Sequence, residues 1–384
     1  MKIKTLAIAL SFTLLSLCNI KAQSYKISGE IKGLDVDTGY IYVEDANAER
    51  GYRFEKIPFE NGKFNYEAEI KETQVVTVSF RSDALTKKVG RGIIPAKSAL
   101  LQYIAYPGAN IKIKGQASDF CDAYPYGDKE NEVLTDMNKW IYPLMNEMAN
   151  YSVSNAVDST LTEAQKEVNN KKAEKLFDEV LQKKKDFLES NASTVAGLWL
   201  MEDMIIRSQI EIEKVAELMD KVDNKYIDLT YYKKVSARVK GFKETGVGMM
   251  APEIKGINLL DNSNFNLESL RGKFVIVDFW GTWCGPCVAG MPEMKKFRDE
   301  YKDRLQIVGL AKDRNAEVVK KMMDKKGVDW PNIMVGEDDQ DYVAKYNVQG
   351  YPTKILLDRN GKILMRSVGE LEGFYEEVEK LMGK

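Results

Sequence analysis

Residues 274–287 read FVIVDFWGTWCGPC, and this stretch decides the fold of the region around it. Its first half, 274–280, is a run of apolar and β-branched residues that is typical of a buried parallel strand. The cysteines Cys284 and Cys287 then open a pattern with helical spacing that continues to about Tyr301. The sequence therefore predicts a strand, a short turn and a helix that begins at a pair of thiols.

The position of these thiols indicates redox chemistry. A thiol in the first turn of a helix faces unpaired backbone N–H groups and the positive end of the helix dipole, which favours its thiolate form. Thiols separated by two residues can also close into a disulfide, and the pair is then a two-electron couple. We expect Cys284 to be the nucleophile and the more exposed thiol, with Cys287 one turn inside as the resolving thiol. A purely structural disulfide is the alternative, and it would not need the helix-capping position.

Residues from about 249 to 384 resemble the thioredoxin superfamily, specifically the TlpA/ResA-like thiol–disulfide oxidoreductases. The resemblance rests on the segment 279–287, FWGTWCGPC, and on the leading segment 249–254, MMAPEI. It implies a thioredoxin-like fold, thiol–disulfide oxidoreductase activity, disulfide-containing protein substrates, and no cofactor besides a redox-active Cys284–Cys287 disulfide. It covers roughly a third of the chain and says little about the rest.

The resemblance also implies roles for residues outside the thiol pair. Asp278 matches a buried carboxylate behind the cysteines, and because desolvation raises a carboxyl pKa, we expect it to exchange a proton with Cys287 near neutral pH. The alternative is that Asp278 only caps the following turn. Tyr351 and Pro352 match the loop that carries the family's cis-proline, beside which an extended substrate peptide would pair. Trp283 would add apolar surface for the substrate.

Features of the motif bear on the direction and the substrate of the reaction. Gly285 and Pro286 form the dipeptide of reducing thioredoxins, and the chain has no histidine, which strong oxidants of the family often place there. Both features favour a low reduction potential, on the order of −270 mV as in thioredoxin. The chain departs from ResA-like members at Gly290, where they usually carry a glutamate. This departure weakens any inference that apocytochrome c is the substrate, and it leaves Asp278 to take over the proton transfer.

Residues 1–22 are interpreted as a signal peptide. Lysines precede an apolar stretch, residues 5–18, that is too short to span a membrane. Cleavage after Ala22 would remove three lysines and no acidic residue, so the net charge would change from −2 to −5. Lipidation at Cys18 is the alternative, although Leu17 before it is not small. Both predict a periplasmic or secreted protein, and a reductase there would need a membrane electron relay of the DsbD type, which the resemblance implies.

Composition excludes several classes of function. The absence of histidine excludes Ser–His and Cys–His catalysis and His-based metal sites. Once the signal peptide is removed, Cys121 is the only cysteine besides the pair, so a zinc site would lack its second half. We expect Cys121 to be a buried structural residue, with a link between two chains as the alternative. The 56 basic and 58 acidic residues give no basic face for nucleic acid.

The rest of the chain predicts a multidomain protein. Residues 23–117 alternate in polarity between turn signals such as Asn61-Gly62, which predicts an antiparallel β-sandwich or barrel. This region resembles the small β domain of unassigned function often found ahead of TlpA-like domains. Residues 118–248 have a period of 3.6 and predict a helical domain, while 249–384 alternate strands and helices as a thioredoxin-like α/β fold requires. If the protein forms a homo-oligomer, we expect its interface on the β or helical domain.

Rival functions follow from the same residues. A peroxidase of the peroxiredoxin family would need a threonine three residues before the thiol, where Gly281 stands. A binding protein is a second rival, because residues 23–248 form most of the mature chain and carry no catalytic motif. Oxidase or isomerase activity of the same thiols is a third, and the reduction potential of the Cys284–Cys287 pair would separate it from reductase activity.

Overall fold

The computed structural model describes residues 23–44 and 52–383. The predicted signal peptide and Cys18 lie outside the described residues. The predicted order of a β-rich N-terminal part, a helical middle part and a C-terminal α/β part of thioredoxin-like fold is confirmed.

The N-terminal part is a sandwich of two four-stranded sheets, whose orders are β10-β9-β1-β4 and β3-β2-β5-β8. Apolar residues at alternate positions of both sheets, among them Ile27, Ile41 and Tyr103, share one core. The pairs are antiparallel except for β1 with β9, which is parallel. The described strands are β1 (Gln23–Lys32), β2 (Thr38–Glu44), β3 (Tyr52–Pro58), β4 (Lys63–Ile70), β5 (Gln74–Phe80), β6 (Lys87–Val89), β7 (Gly92–Ile94), β8 (Leu101–Ala105), β9 (Asn110–Ala117) and β10 (Cys121–Tyr126).

Strand β10 continues this sandwich past residue 117, where the alternation in the sequence ends. It pairs with β9 at the edge of its sheet. Pro125 within it obscures the strand pattern in the sequence, and an edge strand tolerates proline because one side of its backbone needs no partner.

The helical middle part begins directly after β10. Asp128 caps its first helix by accepting hydrogen bonds from the N–H groups of Glu130 and Asn131, and Thr162 and Gln165 form a capping box at the start of the second. No helix in the described part of the chain is long and apolar enough to cross a membrane. The helices are α1 (Lys129–Val157), α2 (Glu163–Asn191), α3 (Val195–Ile206), α4 (Ile212–Met219) and α5 (Thr230–Glu244).

The C-terminal part is a five-stranded sheet of order β15-β14-β13-β16-β17, in which β16 runs antiparallel to both of its neighbours, the central strand β13 and the edge strand β17. Every residue of β13 is buried, because helices and loops cover both faces of the sheet. The elements are β11 (Lys255–Ile257), β12 (Asn264–Asn266), β13 (Phe274–Trp280), α6 (Gly285–Glu300), β14 (Leu305–Ala311), α7 (Ala316–Lys326), β15 (Asn332–Met334), α8 (Tyr342–Lys345), β16 (Thr353–Leu357), β17 (Ile363–Val368) and α9 (Phe374–Leu381).

The two faces of this sheet have separate cores. Phe274, Ile276 and Trp280 of β13 pack with the cysteines and with apolar residues of α6 and α9. The apolar residues Val275, Val277 and Phe279 of β13 pack on the opposite face, against α8 and the leading segment. Because side chains alternate along a strand, Asp278 lies on the same face as the cysteines.

Candidate active site

The cysteines of the motif form a disulfide at the N-terminus of α6, with Cα atoms 5.3 Å apart. Cys284 is the N-cap residue, and its Sγ accepts a hydrogen bond from the backbone N–H of Cys287 at 3.2 Å. Pro286 occupies the first turn, where its missing N–H leaves no hydrogen bond unmade. The Cys284 sulfur therefore lies where unpaired N–H groups and the helix dipole stabilise negative charge.

The expectation that Cys284 is more exposed than Cys287 is wrong for the disulfide form. Each cysteine is 5% exposed. Because the bond holds both sulfurs at one point, the two residues pack into the same apolar cluster with Met291 of α6. Access of a substrate to Cys284 therefore depends on the side chains around the cysteines.

Trp283 and Tyr351 pack together beside the disulfide, although they are far apart in the sequence. Trp283 is 61% exposed, its ring meets that of Tyr351 edge to face with centroids 5.0 Å apart, and its indole N–H donates to the carbonyl oxygen of Lys312 at 2.9 Å. A Cβ at Gly281 would lie 2.5 Å from the indole nitrogen, so glycine there permits this position of Trp283. The Tyr351–Pro352 peptide bond is cis. Of the predicted substrate-contacting residues, Trp283 and Tyr351 thus pack against each other, while Pro352 is buried.

Asp278 is buried on the face of the sheet that carries the cysteines, at 3% exposed. Burial raises its pKa to about 7, while Lys354 lowers the pKa and Glu370 raises it. Among the described residues, its Oδ1 has no hydrogen-bond partner. A carboxyl in this state is close to half ionised at neutral pH and can both accept and donate a proton.

Lys354 and Glu370 were missed in the sequence. Lys354 stands opposite Asp278 in the register of β13 and β16, and its Nζ forms an ion pair with Glu370 Oε1 at 2.6 Å. Glu370 follows β17, and a Cβ at Gly290 of α6 would lie 2.8 Å from its Oε1. The available signal was a lysine inside the otherwise apolar strand TKILL, since a buried charge needs a partner.

Cys121 lies in the core of the N-terminal part as a free, fully buried cysteine. Burial raises the pKa of its thiol to about 12, so the thiolate is scarce at neutral pH. Within the described ranges, no group of three or more His, Cys, Asp or Glu side chains is arranged to hold a metal ion.

Comparison with known proteins places this site in a family. The Redoxin family model matches residues 246–381. Thiol-disulfide oxidoreductase ResA of Bacillus thuringiensis (strain Al Hakam) is 31% identical over 138 residues, which are 34% of this chain and 78% of the relative. The chain belongs to the ResA-like thiol–disulfide oxidoreductases. Thioredoxin-like protein YneN of Bacillus subtilis (strain 168) is 33% identical over 134 residues, which are 34% of this chain and 76% of the relative.

Other similarities extend this comparison. The thioredoxin domain of a thiol-disulfide oxidoreductase from Bacteroides vulgatus is 34% identical, covers 36% of this chain and 99% of its own, and superposes with a TM-score of 0.33. A domain of unknown function, DUF4369, matches residues 25–134 and includes β10. Like other ResA-like proteins, this one is a thiol–disulfide oxidoreductase, and its substrates contain disulfides.

Proposed function

We propose that this protein reduces disulfides of protein substrates outside the cytoplasm through the Cys284 and Cys287 dithiol. The observation that carries the proposal is the position of Cys284, whose sulfur caps α6 and accepts the N–H of Cys287 at 3.2 Å. That position favours the thiolate, which is the attacking form of a thiol. A purely structural disulfide would not need a sulfur at the N-terminus of a helix.

The reaction has two exchange steps. The Cys284 thiolate attacks one sulfur of the substrate disulfide, forms a mixed disulfide and releases the other substrate sulfur as a thiolate. Cys287 then loses its proton and attacks the Cys284 sulfur, so that the Cys284–Cys287 bond forms and the second substrate thiolate leaves. Two electrons pass to the substrate, and its two thiolates take up protons.

Asp278 is the proposed proton acceptor for Cys287 in the second step. It lies on the face of β13 that packs against α6, and burial raises its pKa to about 7. An ordinary carboxylate would be too weak a base at neutral pH, whereas this one can take the thiol proton, directly or through water. Trp283, Tyr351 and Pro352 form the proposed surface for the substrate chain around the disulfide.

The reducing direction is supported by the residues between the cysteines. Gly285 and Pro286 carry no charge, and the chain has no histidine to stabilise the Cys284 thiolate further. A less stabilised thiolate gives a more reducing couple, on the order of −270 mV as in thioredoxin. A distinctly less negative reduction potential of the Cys284–Cys287 pair would instead indicate an oxidase or isomerase.

Location and electron supply complete the proposal. Residues 1–22 have the composition of a signal peptide, with cleavage after Ala22 preferred over lipidation at Cys18. A reductase in the periplasm would draw electrons from a membrane relay of the DsbD type. The sequence predicts domains at 23–117, 118–248 and 249–384, and because β10 (Cys121–Tyr126) belongs to the first sheet, we propose that the first domain extends past residue 117 to include it.

Insulin reduction tests the function. With dithiothreitol as reductant, the wild-type protein is expected to accelerate the precipitation of reduced insulin, and Cys284→Ala to abolish that acceleration. Cys121→Ala is the control, because that thiol is fully buried in another part of the molecule. Full activity in Cys284→Ala would contradict the assignment. In a separate experiment, equilibration of the wild-type protein with a glutathione buffer measures the reduction potential of the Cys284–Cys287 pair.

A further inference from the structure

An ion pair between a buried lysine and an exposed glutamate lies next to Asp278. Lys354 is opposite Asp278 in the β13–β16 register, and directly paired residues of antiparallel strands project from the same face. The Lys354 side chain is 4% exposed, and its Nζ bonds Glu370 Oε1 at 2.6 Å. The Asp278 Oδ1, in contrast, has no hydrogen-bond partner in the described part of the chain. The Lys354 ammonium is thus paired with Glu370 and not with Asp278, its partner across the two strands.

Gly290 makes room for this arrangement. It lies on α6, three residues after Cys287 and therefore about one turn further along the helix. A Cβ at position 290 would come within 2.8 Å of Glu370 Oε1, so the carboxylate occupies space that a longer side chain on the helix would fill. The turn after β17 therefore places a negative charge beside Gly290 of α6.

We propose that Glu370 is a positioning residue that holds the Lys354 ammonium away from Asp278, so that Asp278 keeps a carboxyl group without an ion-pair partner on the face that carries Cys287. The inference rests on the proposed role of Asp278 in the second exchange step. A buried ammonium that lost Glu370 would have Asp278 as the carboxylate facing it from the neighbouring strand. An ion pair with Lys354 would keep Asp278 ionised well below neutral pH and make it a poor base for a thiol proton.

The charged and titratable groups that face Asp278 come from four elements. Lys354 lowers its pKa and Glu370 raises it, while burial is the largest effect and raises it. Tyr375 of α9 interacts with both Asp278 and Glu370, but burial raises the pKa of Tyr375, so it is neutral at neutral pH. The charge of Glu293 of α6 also raises the pKa of Tyr375. Cys287 of α6 is the thiol that exchanges the proton with Asp278 in the proposed mechanism. Lys354 and Glu370 are therefore the pair of opposite charges that acts on Asp278.

The inference predicts opposite effects for two charge-removing substitutions. Glu370→Gln removes a negative charge and frees the ammonium, so Asp278 should ionise at lower pH. Lys354→Met removes the positive charge, keeps a long apolar stem and leaves Glu370, so Asp278 should ionise at higher pH. The double variant removes both charges, and in it the pH at which Asp278 ionises should lie between those of the two single variants. A pair that only stabilised the fold would give no such opposition.

The test uses the full-length reduced protein and 5,5′-dithiobis(2-nitrobenzoate). Attack by Cys284 releases the first thionitrobenzoate, and attack by Cys287 releases the second, so stopped-flow absorbance separates the two steps. The midpoint of the second step's pH profile is expected to shift down by about one pH unit in Glu370→Gln and up by about one in Lys354→Met. The first step should be unchanged. Glu372→Gln, which removes an exposed charge from the same turn, is the matched control and should leave both steps unchanged.

Shifts in the same direction, or no shift in either variant, would overturn the inference. Asp278→Asn distinguishes this outcome from failure of the underlying mechanism. If Asp278→Asn removes the midpoint while Glu370→Gln leaves it in place, only the role of Glu370 is wrong. If Asp278→Asn has the wild-type profile, the role of Asp278 and the inference fall together. Should Lys354→Met not fold, Lys354→Gln keeps polar character at the site and has the same expected upward shift.

Discussion

Arg238 donates a hydrogen bond to the carbonyl oxygen of Val348 at 2.6 Å and thereby ties α5 to the segment that leads into cis-Pro352. A second hydrogen bond runs from Arg238 to the carbonyl of Val343 at 3.2 Å, and Ser208 Oγ donates to the carbonyl of Gln349 at 3.3 Å. The helical part, in which the sequence shows no catalytic motif, thus holds the loop beside the disulfide.

Arg238→Met is expected to loosen this loop and slow insulin reduction several-fold. The change removes charge-assisted hydrogen bonds to backbone carbonyls, each worth about 1.5–3 kcal/mol. The small disulfide 5,5′-dithiobis(2-nitrobenzoate) needs no extended contact with the loop and should react at the wild-type rate. Lys240→Met, an exposed position on the same helix, is the control. Equal loss for both substrates would contradict a role in holding the substrate surface.

Asp278→Asn is expected to slow the second exchange step, on the order of 100-fold, and to leave the first attack by Cys284 largely intact. The wild-type rate of that step should rise with pH through about 7, as Asp278 loses its proton, and the variant should lack this rise. Stopped-flow tryptophan fluorescence, with Trp280 and Trp283 as reporters, follows both steps. Identical rates and pH profiles in the two proteins would reduce Asp278 to a structural residue.

The same carboxyl should make stability depend on pH. Its pKa is about 7 in the folded protein against 3.8 as the ordinary value, so the folded state binds the proton more tightly. The contribution of Asp278 to the free energy of unfolding is therefore largest where Asp278 is protonated. It falls as the pH rises through about 7, by on the order of 2–3 kcal/mol between pH 5 and pH 8. Urea unfolding of the disulfide form should show this fall in the wild type and a smaller one in Asp278→Asn. If the free energy of unfolding had the same pH dependence in both proteins, Asp278 would be ionised in the folded state over this whole pH range.

Trp283→Ala is expected to lower kcat/KM for insulin about tenfold, because the exposed indole contributes apolar contact area for the substrate chain. Trp140→Ala is the matched control: its indole is 68% exposed, but it lies on α1 in the helical part. A comparable loss in both variants would indicate a general effect of removing a surface tryptophan and not a substrate contact.

Cys121 is expected to stay unmodified by iodoacetamide in the native reduced protein and to react only after unfolding. Its thiol is fully buried, and burial raises its pKa to about 12. Mass spectrometry of alkylated peptides, with Cys284 as the reactive reference, measures this directly. A dimer that appears on non-reducing gels and is lost in Cys121→Ala would show that the thiol reaches the surface.

Features that depend on neighbouring residues were readable in the sequence. The strand Phe274–Trp280 has the predicted bounds, and the helix after it begins at the pair of thiols, as predicted, with Cys284 as its N-cap. Strand alternation, capping and turn chemistry act over a few residues, so each leaves a local pattern. The same locality identified the β-rich and helical parts. It failed at β10, where Pro125 disguises an edge strand.

The tertiary structure alone decided which distant residues surround the thiols. The sequence by itself determined the pair Cys284 and Cys287, the buried position of Asp278 and the order of the three parts. It did not show that Lys354 faces Asp278, that Glu370 fills the space at Gly290, or that Arg238 holds the loop before Pro352. Strand register and helix docking set those contacts, and both are fixed by the packing of whole elements, for which no short stretch of sequence carries a signal.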